Sequence, residues 1–355
     1  MHIDTTMVKE IDKEGPMIEV RGLTKTFRTF KKESGMRGSL KSLINREYTS
    51  VEAVKDVSFD IRKGDIIGYI GANGAGKSTT IKMMTGILTP TEGYVKVGGR
   101  IPYEQRTENA KHIGVVFGQK TQLWWDLPLG ETYAILKEIY QVPDDLYKSQ
   151  MAYFEEVFEL STFMDKTVRT LSLGQRMRAD LAASMLHNPE VLFLDEPTIG
   201  LDVVVKERIR KAIKDMNRKY GTTILLTTHD MNDIEELCHR IIIIHEGMVI
   251  YDGGMDKIKR EYGFERRITF DLRYEDEKSV EDILSTIYTS IPGSTPANLH
   301  FTVGDNKAVV TFNRNELNIS GIMNFVLRCL NVLDFSIQDM DIEAIVKQIF
   351  RQDRT

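Results

Sequence analysis

Nine residues, Gly71 to Thr79, read GANGAGKST and constrain what the rest of the chain can become. They match G-x-x-x-x-G-K-[ST] in full. The apolar run Asp65–Ile70 precedes them and the helically patterned Thr79–Ile87 follows. Strand, glycine-rich turn and helix, in that order, make a phosphate cradle. Gly71, Gly74 and Gly76 let the backbone wrap closely with its N–H groups inward, and the helix adds its positive end. Asn73, Ala75 and Thr79 complete the loop. Lys77 brings a mobile positive charge to the terminal phosphates, and Ser78 a hydroxyl suited to Mg²⁺.

A second stretch answers the first. Val191-Leu192-Phe193-Leu194-Asp195-Glu196 is a buried strand ending in two carboxylates. In an open α/β sheet, ligands sit at that carboxyl edge. Asp195 is placed to hold Mg²⁺ directly or through water, and Glu196 to polarise a water for in-line attack on a γ-phosphorus.

Between and around these strands, strand and helix patterns alternate up to about residue 255, which indicates a largely parallel sheet covered on both faces. Residues 127–190 change to helical periodicity and read as a helical subdomain inserted into the α/β core. Residues 28–50 are a basic insertion, with Arg28, Lys31, Lys32, Arg37, Lys41 and Arg46 against Glu33 and Glu47. Leu40, Leu43 and Ile44 give it one apolar face, so it reads either as a basic helix lying on an anionic membrane or as a solvated insertion in a hairpin. From residue 262 the pattern restarts as β-α-β-β-α-β plus a helix, a small α+β domain of ferredoxin-like type. That domain reads as a regulatory, dimerising or partner-binding appendage, or as a stabilising cap.

Composition narrows the class. The 47 basic and 52 acidic residues leave a net charge of −5, so nucleic acid is not expected as a partner. No window of 18 apolar residues predicts a spanning helix, and the first fifteen residues lack the apolar core of a secretory leader. Cys238 and Cys329, the two cysteines, sit among apolar helical neighbours and are expected to be buried thiols in a reducing compartment. The seven histidines lack metal-ligand spacing, which argues against a zinc site.

The ordered motifs resemble the nucleotide-binding domain of an ATP-binding cassette (ABC) transporter. Gly71–Thr79 is similar to its phosphate loop, Gln119 to its glutamine loop and Leu171-Ser172-Leu173-Gly174-Gln175 to its signature. Val191–Glu196 is similar to its acidic strand, Ile199-Gly200-Leu201-Asp202 to the loop that follows, and His229 to its switch histidine. The resemblance covers residues 17 to about 255 and implies a P-loop NTPase cassette with a RecA-like core. It implies that Phe27 stacks on adenine, that Gln119 senses Mg²⁺ and the attacking water, and that His229 contacts the γ-phosphate. By the same resemblance Ser172 and Gly174, helped by the helix starting near Gln175, contact ATP held by a second copy, and Asp202 passes state across that interface. Leu173 stands where the family usually has glycine.

The implied protein is an ATPase that dimerises around ATP and Mg²⁺. Its helical subdomain passes motion to separate permease subunits, at the inner face of a prokaryotic membrane. Trp124 and Trp125 read either as anchors for a permease helix or as core residues. Phrases such as GVVFGQKTQLWWDLP and DEPTIGLD resemble the ATPases of drug, antibiotic and polysaccharide exporters. The competing expectation is a soluble cassette ATPase of translation or DNA repair, but those carry two cassettes or a long coiled coil. An ATP-binding module without turnover is opposed by Lys77, Asp195, Glu196 and His229.

Overall fold

The computed structural model describes residues 15–30, 48–118, 120–273, 283, 286–304, 306–340 and 342–352. The chain divides into two compact units, Met1–Gly253 and Gly254–Thr355.

In the first unit the elements run β1 (Ile18–Phe30), β2 (Tyr48–Ile61), β3 (Ile66–Gly71), α1 (Lys77–Met84), β4 (Glu92–Val97), α2 (Arg106–His112) and β5 (Ile113–Phe117). There follow α3 (Leu129–Ile139), α4 (Asp144–Phe158) and α5 (Leu173–Met185), with 3-10 turns at Leu160–Phe163 and Val168–Thr170. The sheet then resumes with β6 (Val191–Asp195), α6 (Val203–Tyr220), β7 (Thr223–Thr227), α7 (Met231–Leu237), β8 (Arg240–His245) and β9 (Met248–Gly254).

Two sheets result. Strands β2-β1-β4 form an antiparallel sheet, and β5-β6-β7-β3-β8-β9 form a six-stranded sheet in which β5, β6, β7, β3 and β8 are parallel. Every residue of β3 and β7 is buried. This is why their sequences are continuous apolar runs rather than alternating ones. The register sets Asp195 beside both Phe117 and Thr227, so the carboxyl ends of β5, β6 and β7 finish level.

Phe27 pairs with Val51, Arg28 with Ser50 and Phe30 with Tyr48, so the basic insertion starts and finishes inside the β1–β2 hairpin ladder. Its central charges and the proposed apolar face at Leu40, Leu43 and Ile44 lie outside the described residues, as does Gln119. Helix α6 starts at Val203 because the Asp202 carboxylate accepts the Val205 N–H at 2.9 Å and caps it. Trp124 and Trp125 are 38 % and 48 % exposed, which sets aside the core reading. Among the described residues, no helix is long and apolar enough to cross a membrane.

The second unit runs α8 (Met255–Glu261), β10 (Glu265–Leu272), β11 (Leu299–Gly304), β12 (Lys307–Asn313), α9 (Ile319–Cys329), β13 (Val332–Asp339) and α10 (Ile342–Gln352). Residues 286–290 are also helical; the rest of the helix expected between β10 and β11 lies largely outside the described residues. The antiparallel sheet has the order β11-β12-β10-β13. Ile268, Phe270, Val310 and Phe312 of the sheet pack with Ile322 and Val326 of α9. On the edge strand β13, Leu333, Phe335 and Ile337 remain exposed. Of the two cysteines expected to be buried, Cys238 is buried but Cys329 is exposed: it is in phase with Ile322 and Val326 on the core side of α9 but is the last residue of that helix.

Candidate functional site

The phosphate loop closes because two glycines are wedged against backbone. A Cβ on Gly71 would overlap the Ile244 carbonyl, and one on Gly76 the Ala53 carbonyl. Gly76 also adopts φ 105° as the N-cap of α1 and gives that helix no side-chain cap. The first N–H groups of α1 are therefore left for an external acceptor, with the helix dipole behind them. Ala72, Asn73 and Gly74 form the exposed crown of the loop, while Ala75 is buried and Thr79 half-buried.

Lys77 is only 6 % exposed, and its ammonium donates to the Gly71 carbonyl at 2.6 Å and the Ala72 carbonyl at 3.1 Å. Burial lowers its pKa, opposed by the charges of Glu196 and Asp195. Ser78 donates to Asp195 Oδ2 at 2.8 Å, so residues 117 positions apart meet at one point. The other carboxylate oxygen, Oδ1, accepts from Thr227 Oγ1 at 2.5 Å.

Glu196 turns sharply out of β6 with φ 57°, the left-handed region. For a residue with a Cβ this costs about 1–3 kcal/mol and calls for support. The support is the Glu196 N–H, bonded to the Thr227 carbonyl at 3.0 Å, with Thr227 Oγ1 at 3.2 Å. The turn brings Glu196 Oε1 within 3.0 Å of His229 Nε2, a distance at which an Nε2–H donates to the carboxylate. A cleft of about 440 Å³ is lined by Ser78, Phe117, Gly118, Asp195 and Glu196. A second cleft, about 210 Å³, holds Glu196 and His229 beside Ile199 and Gly200.

Phe27 is exposed, with Lys25 Nζ 5.5 Å from its ring centroid. Its partner Val51 lies two residues before Ala53, whose carbonyl packs on Gly76, so the strand register brings Phe27 to the flank of the loop. The signature residues form a separate surface. Ser172 caps α5 by accepting the Gln175 N–H at 3.2 Å, and Gln175 Oε1 accepts the Ser172 N–H at 3.0 Å. Leu173, in the position where glycine is usual, is 40 % exposed, and its Cδ2 reaches to 3.1 Å from where a Gly200 Cβ would stand. Gly174 meets no crowding: an added Cβ would find only Val205 and Leu201 at 3.8 and 3.9 Å.

Sequence reasoning missed three supports of the site. Thr227 is one. Gly118 is another: its N–H donates to the Asp195 carbonyl at 2.8 Å, and a Cβ there would press on the Asp195 and Glu196 carbonyls at 2.9 Å. The third is buried Asp233, which accepts from Thr198 Oγ1 at 2.5 Å, Thr228 Oγ1 at 3.2 Å and Arg210 Nε at 2.7 Å. It thereby ties the segment after Glu196 to the residue before His229. Glycine directly before Gln119 was the one legible signal among them.

The ABC transporter family model matches residues 54–199. The ABC transporter ATP-binding protein NatA of Bacillus subtilis (strain 168) is 33% identical over 224 residues, 63% of this chain and 89% of that protein. This chain belongs to the ABC transporter ATP-binding proteins. It is an ATP-binding cassette and an ATPase. The methionine import ATP-binding protein MetN of Geobacillus kaustophilus (strain HTA426) is 32% identical over 71% of this chain and 75% of its own length. ABC transporter A family member 8 of Dictyostelium discoideum is 31% identical over 77% of this chain, but the match spans only 30% of that protein. The dimeric post-hydrolysis structure of the ATP-binding cassette MJ0796 with ADP and Pi matches with a TM-score of 0.56 at 25% identity, over 67% of this chain and 99% of that one.

Proposed function

We propose that this cassette powers an exporter. Two copies clamp ATP between the Lys77 loop of one and the Ser172 loop of the other, and hydrolysis drives substrate through a separate permease in a prokaryotic membrane, with the cassette on its inner face. The observation that carries the reading is the Glu196–His229 pair, 3.0 Å apart, next to an acid already bonded to Ser78 of the phosphate loop.

In the proposed reaction Glu196 accepts a proton from water as the water oxygen bonds to the γ-phosphorus. The bond to the bridging oxygen breaks, and ADP leaves with that electron pair. His229 holds the Glu196 carboxylate and contacts the γ-phosphate, while Lys77 and the α1 N–H groups stabilise the charge that builds on the phosphoryl oxygens. Ser78 and Asp195 fit Mg²⁺: a hydroxyl and a carboxylate, both hard oxygen donors, lie 2.8 Å apart beside the cradle. When bound, the ion neutralises phosphate charge.

Export rests on the resemblance to drug and antibiotic exporters; one relative is named for import. Residues 17–255 are assigned to the cassette, with 127–190 as its helical subdomain, and 262–355 to an accessory domain. The strand order of that second sheet supports a ferredoxin-like type.

Glu196→Gln should lower turnover at least about 100-fold while ATP binding persists and paired copies live longer. Near-normal phosphate release would reject the assignment. Pull-down from solubilised membranes should recover an integral membrane partner, and transport into inverted vesicles containing that partner tests direction.

A further inference from the structure

The loop that leaves the nucleotide site beyond Gly118 is fastened to the helix that carries Ser172. Asp180 lies on α5, eight residues or about two turns past Ser172, and is 6 % exposed. Its Oδ1 accepts from the Thr121 hydroxyl at 2.8 Å and from the Gln122 N–H at 3.1 Å. Gln122 Nε2 returns a bond to the Asp180 carbonyl at 3.2 Å. Thr121 Oγ1 itself accepts the Leu123 N–H at 3.1 Å, so that hydroxyl is satisfied in both directions.

Among the described residues, no cation comes within salt-bridge distance of this carboxylate; Arg176, one turn earlier on α5, only biases it electrostatically. Tyr133 of α3 faces the same region and donates to the carbonyl of Ala179 at 2.9 Å. Burial pushes the Asp180 carboxyl up to about 6, against the hydrogen bonds from Thr121 and Gln122. A buried carboxylate without a counter-ion is a costly filler where an apolar side chain would pack freely. What it provides is a double acceptor at one oxygen, aimed at one loop. A little further along, Arg176 stacks on Trp125 at 5.4 Å, so α5 grips the same loop twice.

We infer that Asp180 is a positioning residue that makes the Thr121–Gln122 segment and helix α5 move as one body. On the paired-cassette reading, which this inference rests on, it joins the rim of a copy's own nucleotide site to the Ser172 loop that the same copy presents to its mate. One copy's closure on nucleotide is then transmitted to the other copy's site through this loop–helix contact, with the Asp180 carboxylate at its buried centre.

The test measures steady-state ATP hydrolysis by the full chain with Mg²⁺, comparing Asp180→Leu, Asp180→Asn, Thr121→Val and Thr121→Ser. Asp180→Leu should lower kcat about tenfold and leave KM for ATP within about twofold, because the Lys77 loop is untouched. Asp180→Asn keeps an oxygen where both donors point and should retain more than about half of kcat. Thr121→Val should lose about threefold in kcat, Thr121→Ser should restore it, and Thr121→Val should add little on top of Asp180→Leu. A folded Asp180→Leu with wild-type kcat, or one whose loss lies in KM, overturns the inference. If Asp180→Leu does not fold, equal kcat in Thr121→Val and wild type overturns it. A wild-type chain that hydrolyses no ATP would instead bring down the cassette reading.

Discussion

The Lys77 loop and the Ser172 loop are both assigned to one triphosphate, yet they are built in opposite ways. The first is cross-linked from all sides: Lys77 is buried, Ser78 reaches Asp195, Asp195 reaches Thr227, and Glu196 is held by Thr227 and faces His229. The second is held by its own Ser172–Gln175 capping box and by the Leu171 N–H on the Val168 carbonyl at 3.1 Å, with Leu173 leaning on Gly200. Around Leu173 the surface is apolar and open, with Ile199, Val203 and Val204 exposed. A finished half-site and an exposed, self-capped loop on one chain are what a site shared between two chains requires. Charge development needs the preorganised side, whereas the mating side must remain accessible.

The sharpest way to break this comparison is to separate its halves. Lys77→Ala and Ser172→Ala should each lower turnover about 100-fold, and a mixture should regain at most one good site per pair. Full independence of the two lesions would refute sharing. Next in size is a pH effect at the root of the signature helix. Asp180 has a folded pKa of about 6, above its unfolded value. The folded state thus binds the extra proton, and the associated stability is present at low pH and lost as pH rises from about 4 through 6. On the order of 2 kcal/mol should separate wild type from Asp180→Asn across that window, read as the pH dependence of the difference in Tm.

Gly118→Ala leaves Lys77, Ser78, Asp195 and Glu196 unchanged, yet its Cβ would push on the Asp195–Glu196 turn. Turnover should fall about tenfold with little change in ATP affinity, and an unchanged rate would show that the turn tolerates displacement. Smaller still, Asp202→Ala removes the α6 cap and should cost about 1 kcal/mol in thermal or urea unfolding. Gly174→Ala should change stability by less than about 0.5 kcal/mol, since its Cβ has room. Any larger loss of turnover in that variant reports on something approaching from outside the chain.

Much of the cassette could be read from the residues because its motifs are local: GANGAGKST and VLFLDE carry their loop and strand in their own patterning. The C-terminal strands also announced themselves by alternation. What stayed hidden depends on chain crossings. Glu196 takes a left-handed backbone because Thr227, on another strand, captures its N–H. Gly118 is a glycine because the β6 backbone passes beside it. Asp180 reads as a polar residue in a helix until the loop from Thr121 arrives to use it. Cys329 was misjudged since helical phase, which puts it in line with Ile322 and Val326, does not say that the helix ends at that residue.

Ser172 Oγ gives one acceptor site to the Gln175 backbone N–H, which leaves its O–H and one lone pair to face outward. That O–H stands at the start of a helix whose first N–H groups and positive dipole end favour anions over cations. The same capping geometry that starts the helix therefore sets the polarity of guest the loop will accept, before any second molecule comes near.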